Sequence, residues 1–169
     1  IKILNGNNFQ LDTTAKSFGV IKALTKEGSI EIVTLRSERY KDSRYPKVKF
    51  ITSLVLDSKR RDFTVNSLYF QAKSNIIHDP QNGLQDLAKQ QIKIIGRADT
   101  KLKQDPLRIM RAHRFAKQLN FKFETKTELA LQKYFSLIMK ISKTKLQLEI
   151  NKATNLQTKK YLQQLIKNS

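Results

Sequence analysis

The 169-residue chain carries 33 Lys and Arg against 14 Asp and Glu, a formal charge of +19, with 39% apolar residues, no cysteine and two histidines, His78 and His113. That length suits one ordinary domain or two small ones around a buried core, and the composition excludes a disordered chain, a disulfide framework, a thiolate nucleophile and any Cys-based metal site. The positive excess favours a polyanionic partner, although an AT-rich gene would by itself inflate Lys, Asn and Ile; no apolar run approaches the roughly 18 residues of a bilayer span, so a soluble protein is expected.

The chain starts at Ile1 rather than Met, which leads us to expect a processed or truncated protein. Residues 18–24 and 30–36 are strand-like and flank Lys26-Glu27-Gly28-Ser29, a hairpin signal with its glycine in the turn. Residues 37–49 are polar and basic with one proline and predict an exposed loop. A short helix is expected over 51–56, whereas Phe63 to Phe70 is ambiguous between strand and helix. Asp79-Pro80-Gln81-Asn82-Gly83 is a turn in which Asp79 orders its own loop and Gly83 supplies a positive φ, with a short helix starting at Leu84.

Past residue 97 the period becomes helical, with helices expected over 105–119, 125–139, 142–152 and 158–167. Asp105 stands as the cap of the first, with Pro106 just inside its start, and Thr125-Lys126-Thr127-Glu128 has capping-box spacing. The architecture is α+β, a small antiparallel sheet unit followed by an all-helical unit, with a soft boundary near 85–100.

Two clusters carry the chemistry. On a helical wheel with Asp105 at 0°, the apolar residues Ile109, Ala112, Phe115, Ala116 and Leu119 fall between about 280° and 40°, and Arg108 falls at about 300°. Asp105 and Arg108 thus share the apolar side, where charge is costly unless paired or engaged by a ligand. Arg111 and Arg114 continue the i, i+3 series. An aspartate and an arginine so placed can read a base edge, accepting from an exocyclic amine and donating beside it, while further arginines bind phosphate. An internal Asp105–Arg108 ion pair with two solvated arginines fits the same spacing. The second cluster is Arg60-Arg61-Asp62-Phe63-Thr64-Val65-Asn66, either a triphosphate- and sugar-binding segment through Arg61 and Asn66 or a basic loop before a core strand.

The order Arg60-Arg61-Asp62-Phe63-Thr64-Val65-Asn66-Ser67-Leu68, then Asp79-Pro80 with Gly83 and Asp86-Leu87, then Asp105-Pro106-Leu107-Arg108-Ile109-Met110-Arg111-Ala112-His113-Arg114-Phe115, resembles the class II tRNA nucleotidyltransferases and their relatives, the bacterial poly(A) polymerases. The resemblance covers most of residues 18–155. It implies a partial polymerase-β-type nucleotidyltransferase head over 1–88, N-terminally incomplete, then a helical neck and the start of an RNA-binding body over 89–169. It also implies template-independent addition of C and A to the tRNA 3′ end from CTP and ATP, in the cytoplasm and away from membranes. Asp105 and Arg108 then resemble the amino-acid template for the base. Arg61, Arg111 and Arg114 resemble nucleotide-binding arginines, Asn66 a sugar or supporting contact, and Lys145 and Glu149 the neck residues that support the template helix. Lys145 and Gln104 depart from the family's usual Arg and Glu.

The family activates the primer hydroxyl with Mg²⁺ held by two carboxylates at i, i+2 after a Gly-Gly loop, and this sequence has neither a Gly-Gly pair nor an acidic pair at that spacing. Glu31 is a candidate third carboxylate only, so the metal's main ligands are expected to lie outside this chain. Two alternatives stand beside CCA addition. One is a poly(A) polymerase, towards which Ser67 leans while Tyr45-Pro46-Lys47-Val48 leans back. The other is a non-catalytic module that binds RNA through its basic surface, including a C-terminal stretch from Lys140 with seven lysines and one acidic residue, Glu149. Nothing in the sequence sets an oligomeric state.

Overall fold

The structure is a computed structural model that describes residues 9–39 and 47–167. The chain packs as two compact units divided between Asp57 and Ser58. In the first unit, β1 (Gln10–Asp12), β2 (Val20–Thr25) and β3 (Gly28–Val33) form an antiparallel sheet in that order. The expected hairpin is there, shorter at both outer ends: Thr25 pairs with Gly28, which leaves Lys26-Glu27 as the two-residue turn. Its φ of 143° explains the glycine at the strand's first position. The polar stretch read as a loop instead holds two paired strands, β4 (Arg36–Arg39) and β5 (Lys47–Phe50), while Tyr45 and Pro46 lie outside the described residues. Charged side chains hid this ladder, since Arg36 and Glu38 satisfy each other at 3.1 Å on one strand. Helix α1 (Leu54–Arg60) follows, displaced from the expected 51–56, and its buried Asp57 accepts from the Arg36 N–H at 2.9 Å.

The ambiguous segment after Arg60 resolves into neither of its two readings alone. Phe63 bridges to Ile94, Thr64–Asn66 turn as a 3-10 helix, and β6 (Tyr69–Gln71) pairs antiparallel with β7 (Ile76–His78). Asp79 orders its loop as expected, its two carboxylate oxygens accepting from Gly83 N at 2.7 Å and Leu84 N at 3.0 Å. The positive φ, however, belongs to Asn82 at 57°, and Gly83 opens helix α2 (Gly83–Ala88) instead. Gly83 is required for closeness: a Cβ there would lie 2.2 Å from the Thr64 carbonyl oxygen. Asp86 seals the same junction, buried between Thr64 Oγ1 at 2.7 Å and Gln91 Nε2 at 2.6 Å.

The helical half is β8 (Gln91–Ile92), α3 (Ala98–Gln104), α4 (Leu107–Leu119), β9 (Lys122–Phe123), α5 (Thr125–Lys133), a 3-10 turn over Phe135–Lys140, α6 (Lys143–Asn151) and α7 (Leu156–Lys167). Helix α3 was not expected; its Lys-rich stretch contributes a single fully buried apolar residue, Leu102, too few for a readable period. The α4 start lies two residues past Asp105, which still satisfies it by accepting from Leu107 N at 3.2 Å. The cap of α5 is Glu124, accepting from Thr127 N at 2.9 Å, so Thr125 sits inside the helix and is not the cap that its spacing from Glu128 suggested. Phe63, Ile92, Ile94, Leu102, Ile109, Met110, Ile138 and Leu162 form one core with α4 at its centre. Among the described residues, no helix is long and apolar enough to cross a membrane.

Two tests follow from this packing. Gly83→Ala forces a methyl against backbone and is expected to lower unfolding free energy by about 1–3 kcal/mol, read from urea midpoints; an unchanged midpoint would show that the α2 junction yields. His113 packs on Phe123 and Tyr161, and burial pushes its pKa from 6.5 to about 4. Between those values the unfolded chain takes up a proton that the folded chain excludes. Stability is therefore expected to fall as pH drops from about 6.5 towards 4, by up to about 3 kcal/mol, and His113→Gln to flatten that slope in urea titrations across the range.

Candidate nucleotide site

Most of the candidate side chains gather where the segment Arg60–Phe63 meets the start of α4. Phe63 is fully buried and stacks edge-on against Phe115 of α4 at 5.8 Å. Backbone bonds on either side, Ile95 N to Asp62 O at 3.1 Å and Thr64 N to Lys93 O at 3.0 Å, fix the strand register. Asp62 is thereby aimed at α4. Its Oδ1 accepts from Arg108 Nε and its Oδ2 from Arg111 Nη1, each at 2.6 Å.

Arg108 is 3% exposed, on the apolar side as the wheel required. A second donor, Nη1, binds the Lys101 carbonyl at 2.8 Å. Lys101 itself reaches back, its ammonium 2.7 Å from the Lys59 carbonyl and 3.4 Å from that of Arg61. Arg111 lies between three carboxylates: Asp62, Asp105 at 3.6 Å and Glu149 at 3.8 Å. Arg114 is buried, with Nε 2.8 Å from Glu149 Oε1 and Nη1 bound to Gln118 at 3.0 Å. Glu149, 1% exposed on α6, thus carries two α4 arginines and Lys152 at 3.2 Å.

Burial alone would raise the Asp62 carboxyl, but Arg111 and then Arg108 outweigh it and hold the group below its ordinary range. Burial opposes the Arg111 charge, yet Asp62 foremost raises that guanidinium above its ordinary value. Both groups stay charged across the physiological range. The result is a chain of alternating charges, with its acids on three different elements.

The internal Asp105–Arg108 pair read as one explanation of the spacing is not what holds Arg108: Asp62 does. Nor are the other two arginines both solvated, since Arg114 is buried and Arg111 is mostly covered. Asp105 keeps a partly exposed carboxylate bonded to Leu107 N and facing Arg111. Arg61 and Asn66 sit beside this cluster, Arg61 Nη1 donating to the Asn66 carbonyl at 2.9 Å. The neck residue Glu149 joins the cluster, but Lys145 is exposed on α6 and is not brought to it. Glu31 lies on β3 in the other unit, exposed and paired with Lys22 at 3.2 Å. Sequence reasoning did not single out Asp62 or Lys101 individually. Asp62 stood inside a quoted motif, as an acid between two arginines and a buried aromatic, and that polarity beside a core residue was the available signal. A cavity of about 530 Å³ lined by Lys93, Gly96, Arg97, Lys126 and their neighbours lies elsewhere and includes none of these site residues.

Residues 2–93 match the family described as the poly A polymerase head domain. The chain is 40% identical over 136 residues to a CCA-adding enzyme of Streptococcus uberis, covering 79% of this chain and 34% of that protein. It is 43% identical over 134 residues to a CCA-adding enzyme of Lactobacillus johnsonii, covering 78% and 33%. The chain therefore spans about a third of the length of these curated relatives. Among solved structures, a Bacillus stearothermophilus CCA-adding enzyme in complex with CTP superposes with a TM-score of 0.71 at 28% identity, over 83% of this chain and 33% of that one. A tRNA nucleotidyltransferase complexed with a primer tRNA and an incoming ATP analog gives 0.75 at 25% identity, over 99% and 47%. The family match over more than half of the chain, the identity to these curated relatives and the shared fold agree, and the chain belongs to the poly A polymerase head domain family.

Proposed function

We propose that this chain is the head-and-neck part of a template-independent tRNA nucleotidyltransferase, adding C and A to the tRNA 3′ end from CTP and ATP in the cytoplasm. In this reading the head spans 1–88 and the neck with the start of an RNA-binding body spans 89–169. The observation that carries the reading is the convergence of Asp62, Asp105, Arg108 and Arg111 at one end of α4, supported by relatives named as CCA-adding enzymes.

Asp105 is suited to accept from the exocyclic amine that cytosine and adenine share, and Arg108 to donate to the ring atoms beside it. Uracil and guanine present a carbonyl in place of that amine and meet Asp105 with like polarity. Arg61, Arg111 and Arg114 supply cationic forks for the phosphates, and Asn66 a sugar contact. Glu149 holds Arg111 and Arg114 from α6, so the neck sets the side-chain angles on which base reading depends. Asp62 holds Arg108 and Arg111 until an incoming nucleotide competes for their donors.

Mg²⁺ is the cation proposed for the complete protein, where it would neutralise the leaving pyrophosphate. Among the described residues no group of three or more His, Asp or Glu could hold a metal, and Glu31 is tied to Lys22. The described residues do not fit that role. Poly(A) addition is the second reading, favoured by the family description. Ser67 leans the same way, and its buried hydroxyl donates to the Thr64 carbonyl at 2.7 Å, a local turn contact that either activity can use.

The complete gene product with Mg²⁺ is expected to add C, C and A to a tRNA lacking its end and then stop. Unlimited A addition would favour the poly(A) reading, and RNA binding without incorporation the non-catalytic one. The 169-residue chain alone is expected to be inactive, having no acidic pair at i, i+2. Arg108→Lys keeps a charge beside Asp62 but removes the fork, and is expected to cut discrimination of CTP and ATP from UTP and GTP by about tenfold or more. Equal loss for all four nucleotides in single-turnover assays would overturn the base-reading role.

A further inference from the structure

One lysine joins the two sequence clusters that carry the nucleotide chemistry. Lys101 lies in the last turn of α3, whose backbone is fixed by the fully buried Leu102 beside it. Its carbonyl accepts from two donors, the Asp105 N–H at 3.1 Å and Arg108 Nη1 at 2.8 Å. A single oxygen thus stands between the acid and the guanidinium assigned to the base edge, and it sets their spacing. The Arg108 guanidinium is held at Nη1 by Lys101 and at Nε by Asp62, which accepts at 2.6 Å.

The ammonium of the same residue binds a different segment. It donates to the Lys59 carbonyl at 2.7 Å and lies 3.4 Å from that of Arg61. Lys59 is the penultimate residue of α1, and the last four carbonyls of a helix have no intrahelical donor, so a cation is favoured there. Arg61 directly precedes Asp62, so the ammonium holds the peptide from which the Asp62 side chain springs. The contacts close into a ring: Arg108 to Asp62, along the chain to the Arg61 carbonyl, to the Lys101 ammonium, and from the Lys101 carbonyl back to Arg108. Removing the ammonium opens the ring and leaves Arg108 between two acceptors that can shift apart.

We propose that Lys101 is a positioning residue for base selection, fixing Arg108 against Asp105 through its carbonyl and both against the Arg61–Asp62 segment through its ammonium. The inference rests on the base-reading function proposed above and extends it to a residue that touches no nucleotide in that scheme. Substitution leaves the backbone carbonyl in place, so the ammonium is the part that a variant tests.

The test is the ratio of kcat/KM for CTP to that for UTP in the complete gene product. That ratio does not depend on how much of the enzyme is folded, so a lysine that only stabilised the fold would leave it unchanged. Lys101→Met is expected to lower the ratio about 3- to 30-fold, while Lys101→Arg, which keeps a cation for the carbonyls, stays within about twofold of the parent. In an Arg108→Lys background, Lys101→Met is expected to lower the ratio no further, because both changes act through one guanidinium. An unchanged ratio in Lys101→Met, an equal loss in Lys101→Arg, or a full additional loss in the Arg108→Lys background would overturn the proposal while leaving base reading standing. A parent enzyme that does not favour CTP over UTP, or an Arg108→Lys variant that discriminates as well as the parent, would overturn base reading and this inference with it. If Lys101→Met does not fold, Lys101→Gln, a shorter and neutral donor, takes its place with the same expected loss, and an unchanged ratio there overturns the inference.

Discussion

The second unit depends on one carboxylate, Asp62, and the two guanidiniums that it holds from α4. Removing either partner of such a buried pair leaves an uncompensated charge, a loss of about 3–5 kcal/mol, whereas the intact pair adds little net stability over an apolar replacement. The cluster is therefore a poor device for stability and a good one for geometry. Arg108 and Arg111 are three residues apart on one helix, and Asp62 binds both with separate oxygens at equal distance. That fixes the rotation of the first turns of α4 relative to the segment bearing Phe63. Lys101 fastens the same two elements a second time, through its carbonyl to Arg108 and its ammonium to the carbonyls of Lys59 and Arg61.

How the acids are distributed explains why segments far apart in the sequence are needed for one cluster within the second unit. Glu149 comes from α6, Asp62 from the strand after α1, and Asp105 from the step before α4. None of these elements can present a paired acid by itself. Folding brings them together only because α4 lies at the centre of the core, with Ile109, Met110 and Ala112 fully buried between the charged positions. The apolar residues set the depth of the helix, and the acids set the angle of its arginines.

Much of this was legible in the sequence, and its limits have physical causes. Helix α4 was readable because its apolar period is strong, and the wheel placed Arg108 on the buried side because burial follows that period whatever the side chain's charge. The partner of Arg108 was not readable: Asp62 lies 46 residues away, and local spacing offers only Asp105. The strands at 36–39 and 47–50 failed for a related reason, since an Arg36–Glu38 pair along one strand replaces the apolar alternation by which strands are recognised. Gly83 was read as a turn glycine supplying a positive φ, and that reason was wrong. A glycine in a turn suggests a positive φ, but Asn82 takes that conformation, and Gly83 is there because the Thr64 carbonyl leaves no room for a Cβ.

An arginine bonded to a carboxylate can take up a ligand only by exchanging one acceptor for another, so its selectivity is set by how well the newcomer matches the acceptor it displaces. Arg108 is in that position, and in the function proposed above a base edge must offer acceptors good enough to compete with Asp62. Asp62 is shared by Arg108 and Arg111, and Glu149 by Arg111 and Arg114. A guanidinium drawn towards a ligand therefore leaves behind a carboxylate still bound by its neighbour, so the exchange does not strand a buried charge.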